Sequence, residues 1–233
     1  MKSRTGRGFL TGGVSLDGVF YSCRAPLAFG RIRIEPIRQI DAPAEVLTRT
    51  FARNPEDFWK VAYCACDVID LAYGSNEISN ATPELRAHLA NAKSHIAAFS
   101  QALQHPQTES AAIQSSWMAA ELSMKAGLIA AGVPKSQRSS RALGHNISSL
   151  AECLIENFPS SHPGEDDRLR RGSGLFPRDV ADRYELPTQS SAEIHDLAMA
   201  SQFLAASVVR RLARRDIAFR MELDPDSPGR IFP

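Results

Sequence analysis

The residues best equipped for chemistry in this chain of 233 residues lie between positions 121 and 145. Glu121 and Lys125 stand four apart on a helical pattern, the acid first. His145 follows a run of bases, Lys135, Arg138 and Arg141, with six residues between Arg138 and His145. An imidazole has a reference pKa of about 6.5 and exchanges a proton near neutrality. A guanidinium stabilises negative charge growing on a phosphate oxygen. Together they could take a proton from a ribose 2′-hydroxyl or return one to a leaving oxygen. The competing reading is a coincidence of spacing in a solvated basic loop.

Each of the other reactive residues carries two readings. Glu121 and Lys125 are either a surface ion pair of about 0.3–0.5 kcal/mol or a pair lining a groove, since Trp117, Leu122, Met124 and Leu128 around them are large and apolar. Arg183 is either a phosphate contact or the anchor of a turn, bonding backbone carbonyls. Arg210, Arg211, Arg214 and Arg215 close a helix, where cations complement the macrodipole without any ligand. Cys23, Cys64, Cys66 and Cys153 are too scattered for a disulfide framework or a four-ligand zinc site, and Cys64-Ala65-Cys66 reads as small buried packing. The histidines show no metal-ligand spacing, and Gly8 to Gly13 lacks the Gly-Lys-Ser/Thr of a phosphate loop. No cofactor is expected.

The elements that must position these residues are mostly helical. Asn54-Pro55-Glu56 supplies an N-cap, a proline at the first helical position and a first-turn acid, and predicts a helix over 55–73 that stops at Gly74. This helix is apolar almost all round, so something must cover it, and a homodimer interface is expected there. Thr82-Pro83-Glu84 opens a second helix that runs to His105-Pro106. A third spans 108–131, bearing Glu121 and Lys125, and is stopped by Gly132 and Pro134. Residues 133–144 read as a basic loop, 146–158 as a shorter helix, 160–174 as a mobile polar stretch and 190–218 as the last helix. Before all of these, residues 1–53 are Gly-rich with net charge +5, against −3 for 54–137. The β-type runs at 19–23 and 31–35 predict an irregular β-hairpin arm. The fold class expected is mainly α, an antiparallel helical bundle over 54–233 behind that arm.

Composition narrows the partners. With 27 Lys+Arg against 26 Asp+Glu, the chain has a net charge of +1, so attraction to nucleic acid must be local to the loop or the arm. No run approaches the ~20 apolar residues of a membrane span, and no apolar stretch follows Met1-Lys2-Ser3-Arg4 as in a secretion signal. A cytoplasmic location with no membrane partner is expected.

Three motifs in order carry a resemblance. Ala120-Glu121-Leu122-Ser123-Met124-Lys125-Ala126, Gly144-His145-Asn146-Ile147-Ser148-Ser149-Leu150 and Arg183-Tyr184-Glu185 resemble successive signatures of the HEPN family, the nucleotide-binding helical domains of higher eukaryotes and prokaryotes, over residues 83–215. The resemblance implies an antiparallel, often dimeric bundle that binds RNA or nucleotide. Many members are metal-independent ribonucleases of toxin–antitoxin pairs, phage defence or RNA processing. In those, an Arg and a His with four to six residues between them surround the scissile phosphate across the dimer, which casts Arg138 and His145 as the catalytic pair. Glu121, Lys125, Lys135, Arg141, Arg183 and Tyr184 then become nucleotide or RNA contacts. Other members are inert and dock a nucleotidyltransferase partner, so a catalytically inert dimerisation or partner-docking module is the alternative. Geometry separates the two: His145 from two subunits converging with Arg138 or Arg141 on an open basic cleft favours the enzyme, and a His145 buried and bonded to backbone favours the module.

Overall fold

The computed structural model describes residues 10–26, 33–105, 108–140, 143–177, 189–213 and 215–232. The chain opens with the hairpin β1 (Thr11–Leu16) and β2 (Val19–Arg24), paired from Thr11↔Arg24 to Leu16↔Val19. Asp17 and Gly18 form the two-residue turn with φ of 49° and 76°, the left-handed pair that suits the twist of a tight hairpin. After a 3-10 turn, Pro36–Gln39, come α1 (Ala44–Arg53), α2 (Pro55–Glu77), α3 (Pro83–Ala102), α4 (Glu109–Ala130), α5 (Lys135–Arg138), α6 (Ile147–Asn157), α7 (Glu165–Gly174), α8 (Ser191–Leu212) and α9 (Ile217–Glu222). The protein is a helical bundle with an N-terminal β-hairpin. Helices α3, α4, α8 and α2 pack in sequence side by side, while α6 and α7 lie against α4 and α8.

Cap chemistry set the helix starts where the sequence indicated. Asn54 accepts from the Asp57 amide and Thr82 from the Leu85 amide, each ahead of a proline at the first turn. Ser190 and Glu193 close a reciprocal capping box on α8.

Five expectations are corrected. The hairpin is not a separate arm: Val14, Leu16, Phe20 and Cys23 are buried in the main core. Gln202 of α8 clamps Gly13 from both sides, accepting from its amide at 2.7 Å and donating to its carbonyl at 2.8 Å. A side chain at Gly12 would put its Cβ 2.1 Å from Gln202 Oε1, so the glycine admits this approach. The partner of β2 is β1 and not the run at 31–35, of which residues 33–35 are irregular and 31–32 lie outside the described residues. The supposedly mobile stretch 160–174 contains α7, held by buried Leu169 and by ion pairs. The last helix ends at Leu212, and α9 is separate.

The fifth correction concerns α2. It passes through Gly74 and continues to Glu77, because Gly74 is there for contact and not to stop the helix: a Cβ on it would sit 2.4 Å from Val209 Cγ1 on α8. The apolar cylinder is covered within the chain by β1, α8, α1 and α9, so its composition does not call for a partner subunit. Gly74→Ala should therefore lower stability by about 1–3 kcal/mol through overpacking, overriding the roughly 1 kcal/mol that alanine gains in helix propensity. A denaturant midpoint unchanged or raised in the variant would show that α2 and α8 separate freely.

A buried ionic cluster ties the far end of the bundle together. Asp67 and Asp70 on α2 are fully buried, and Arg210 of α8 reaches both, with Nε 3.0 Å from Asp70. Arg210 also lies 3.4 Å from Glu165 on α7 and 3.3 Å from Asp216. The C-terminal tail delivers Arg230 to both oxygens of Asp67, with its guanidinium 4.5 Å from the centre of the Phe203 ring. Burial pushes the Asp70 carboxyl up to about 6, opposed by Arg210 and by the amides of Ile217 and Ala218. The arginines at the end of α8 thus do more than complement a dipole: Arg210 joins three helices. Arg211 meets Asp166, and Arg215 meets Glu77.

Candidate active site

Helix α4 presents Glu121 from a largely buried face, with its side chain only 5% exposed. One turn on, Lys125 donates from Nζ to Oε1 at 2.7 Å, the order of charges that a helix favours. This pair is no solvated surface bridge. It sits among Trp117, Met124 and Leu128, which are fully buried.

The turn before α6 brings His145 to the same carboxylate. Leu143 and Gly144 fold back to donate to the carbonyl of Ser140 at 3.2 and 2.7 Å. A Cβ on Gly144 would approach that carbonyl to 2.8 Å, so the turn is tight enough to require the glycine. Asn146 then caps α6 by accepting from the Ser149 amide at 2.9 Å. Between them, His145 places Nδ1 at 3.2 Å from both Oε1 and Oε2 of Glu121, while its side chain remains 60% exposed.

The chemistry of this arrangement follows from the tautomer. A carboxylate facing Nδ1 selects the imidazole that carries its proton there and donates it to Glu121. Nε2 is then the nitrogen with a lone pair, offered to solvent and able to accept a proton. If Nε2 also becomes protonated, the buried carboxylate stabilises the resulting imidazolium, which is how an acid behind a histidine assists proton transfer. Lys125 holds the second charge of the cluster on the same helix.

Arg138 does not join this cluster. It lies at the end of the four-residue helix α5 and is buried, donating from Nε to the Val133 carbonyl at 2.9 Å and from Nη1 to Glu84 Oε1 on α3 at 3.1 Å. The same contact holds the exposed Glu84 carboxyl below the usual carboxylate range. The literal Arg138 and His145 spacing therefore joins an inward-turned anchor to an outward-turned imidazole. The side chain ties α5 to α3 and the α4–α5 connection. Arg138→Met is expected to lower stability by about 1–3 kcal/mol, as for loss of a buried charged hydrogen bond. A denaturant midpoint equal to that of the natural chain would show that this side chain does not anchor α5.

Lys135, at the first residue of α5, is exposed. Arg141, Arg183 and Tyr184 lie outside the described residues. Of the expected site, the structure brings together Glu121, Lys125 and His145. Sequence reasoning named all three but missed that one carboxylate orients the histidine. It also missed Asp67, Asp70 and Arg230, although two acids three apart on an otherwise apolar helix were a visible signal. Cys64 and Cys66 are buried, as their reading as small packing implied, and burial pushes the Cys64 thiol up to about 12.

Among the described residues, no cluster of histidine, cysteine and acidic side chains could hold a metal ion, and no helix is long and apolar enough to cross a membrane. Comparison with protein-family models, curated proteins and solved structures found no match.

Proposed function

We propose that this protein binds RNA or nucleotide on the surface around His145 and cleaves RNA by metal-independent proton transfer, in keeping with the resemblance of its motifs to the HEPN family. The observation that carries the reading is the exposed imidazole held through Nδ1 by a buried carboxylate. In this scheme His145 Nε2 removes the proton of a ribose 2′-hydroxyl, the alkoxide attacks the adjacent phosphorus, and a 5′-oxygen departs with a proton from solvent or from a protonated imidazole. Glu121 is a positioning residue that holds the ring and balances its charge. Lys125, Lys135 and Arg141 supply positive charge to phosphate. Arg138 has no direct part, which departs from the pairing that spacing suggested. A homodimer that places two such histidines along one RNA strand belongs to the same proposal.

The test is incubation of purified protein with a mixed-sequence RNA in EDTA, followed by gel analysis of products and by binding at several salt concentrations. Cleavage in chelator, and an affinity that falls steeply with salt as phosphate neutralisation releases counterions, are the expected results. Binding that does not change with salt would argue against phosphate contact.

One observation favours the second reading, an inert partner-docking module of the kind that serves a nucleotidyltransferase. An open apolar groove of about 530 Å³ lies between the 3-10 turn, α1 and the start of α2, lined by Ile37, Ile40, Leu47, Phe51 and Phe58. Phe51 is half exposed there. Absence of cleavage, together with capture of a protein partner that Phe51→Glu abolishes, would favour this reading.

A further inference from the structure

Away from His145, a smaller pocket of about 260 Å³ opens where the C-terminal end of α2 meets the first half of α3. Its polar lining is Ser75, Asn76, Arg86 and Lys93, and its apolar lining is Ile78, Leu89 and Ala90. No carboxylate is among these residues.

Lys93 is the unusual member. It projects from α3 into a partly buried position and donates from Nζ to Ser75 Oγ at 2.9 Å. The buried cations elsewhere in the chain, Arg138, Arg210 and Arg230, each face a carboxylate. Lys93 faces none among the described residues, and burial alone, with no acid opposing it, holds its ammonium below the usual lysine range. Glu77, the acid closest in sequence to this end of α2, is already bound to Arg215. Burying a charge without a partner is costly, so an ammonium kept in such a place implies something that compensates it. The carbonyl end of α2 offers about half a negative charge, too little to neutralise it.

Arg86 adds a second cation on the same face of α3. Its Nε donates to the Ala81 carbonyl at 3.1 Å, and its Nη groups have no partner among the described residues. Ser75 already donates its hydroxyl to the Ala72 carbonyl at 3.2 Å and Asn76 donates one amide proton there at 3.1 Å, so the two cations and the remaining amide proton of Asn76 are what the pocket offers a dianion with several acceptor oxygens. A phosphate monoester carries about −1.5 to −2 charge at pH 7 and three such oxygens. The volume is below the roughly 300–1,000 Å³ of a pocket for a drug-sized ligand, so it suits a phosphate group and a small apolar body resting on Ile78, Leu89 and Ala90.

We propose that this pocket is a binding site for a phosphate monoester, with Lys93 and Arg86 as its cationic partners, separate from the surface around His145. The test is isothermal titration calorimetry at low ionic strength and pH 7 with phenyl phosphate, set beside benzoate as a planar monoanion of similar size. One phenyl phosphate should bind per chain, more tightly than benzoate, and both Lys93→Met and Arg86→Gln should weaken it at least tenfold. Lys93→Met should also melt no lower than the natural chain without ligand, because it removes an uncompensated charge. No heat at millimolar phenyl phosphate, equal affinity in Lys93→Met and the natural chain, or benzoate binding as tightly as phenyl phosphate would each overturn the assignment. Should Lys93→Met fail to fold, Arg86→Gln decides, since Arg86 is exposed and its loss leaves the core intact.

Discussion

Replacing Arg210 by alanine should cost this protein about 3–5 kcal/mol, the range expected when one partner of a buried ion pair is removed and the other is left uncompensated. The guanidinium of Arg210 serves Asp67, Asp70, Glu165 and Asp216 at once, and the first two have no exposure to water. Without it, Asp67 retains Arg230, whereas Asp70 retains only the amides of Ile217 and Ala218. The loss follows from stranded charge and not from lost attraction alone. Arg210→Met with Asp70→Asn should therefore recover a large part of what Arg210→Ala loses, because a neutral amide in place of the second carboxylate lowers the desolvation penalty. Guanidinium denaturation of the three proteins measures this. An Arg210→Ala midpoint indistinguishable from that of the natural chain would mean that water reaches the cluster in solution.

That cluster also marks where reading the sequence ran out. Asp67 and Asp70 lie in α2, Arg210 in α8 and Arg230 in the tail, with partners up to 163 positions apart. Cap residues and apolar period report on a helix from within its own segment. A pairing across such distances leaves no local trace, and Arg210 near a helix end is fully accounted for by the dipole until its partners are seen. Helix α7 was hidden for a related reason. Glu165 to Gly174 is so rich in charge that it reads as a solvated linker, yet Arg168 binds both oxygens of Glu222 and Glu165 faces Arg210, so charges do the anchoring that an apolar stripe does elsewhere.

Helices α3, α6 and α8 were legible because Thr82, Asn146 and Ser190 announce their starts through side-chain caps, whereas α4, which bears Glu121 and Lys125, has no side-chain cap at Thr108 and was legible from its apolar period. The hairpin was half legible. Asp17-Gly18 is the turn signal that fixes β1 as the partner of β2, but the alternation at 31–35 competed with it. Gly74 misled because a glycine in a helical pattern marks an end about as readily as a close approach, and only the position of Val209 decides between them. For the site itself, residue types identified Glu121, Lys125 and His145, whereas Arg138 was chosen by spacing. Spacing says nothing about whether a side chain faces water or protein, and Val133 and Glu84 turned that one inward.

The central claim is that His145, oriented by Glu121, performs proton transfer on RNA. His145 is exposed, so its replacement should leave the fold intact; the turn that carries it is held by Gly144, Ser140 and Asn146 instead. Loss of a positioned acid–base group costs typically about 10²–10⁴ in rate. Glu121→Gln should reduce the rate less than His145→Ala, because the amide can still pair with the ring but no longer balances an imidazolium. The most direct measurement is the single-turnover cleavage rate of a mixed RNA in EDTA for the natural chain and for His145→Ala at equal folded concentration. Cleavage by the natural chain that falls at least a hundredfold in His145→Ala is the result expected, on the scale of general acid–base catalysis. Cleavage that persists undiminished in His145→Ala, or no cleavage by the natural chain, would contradict it.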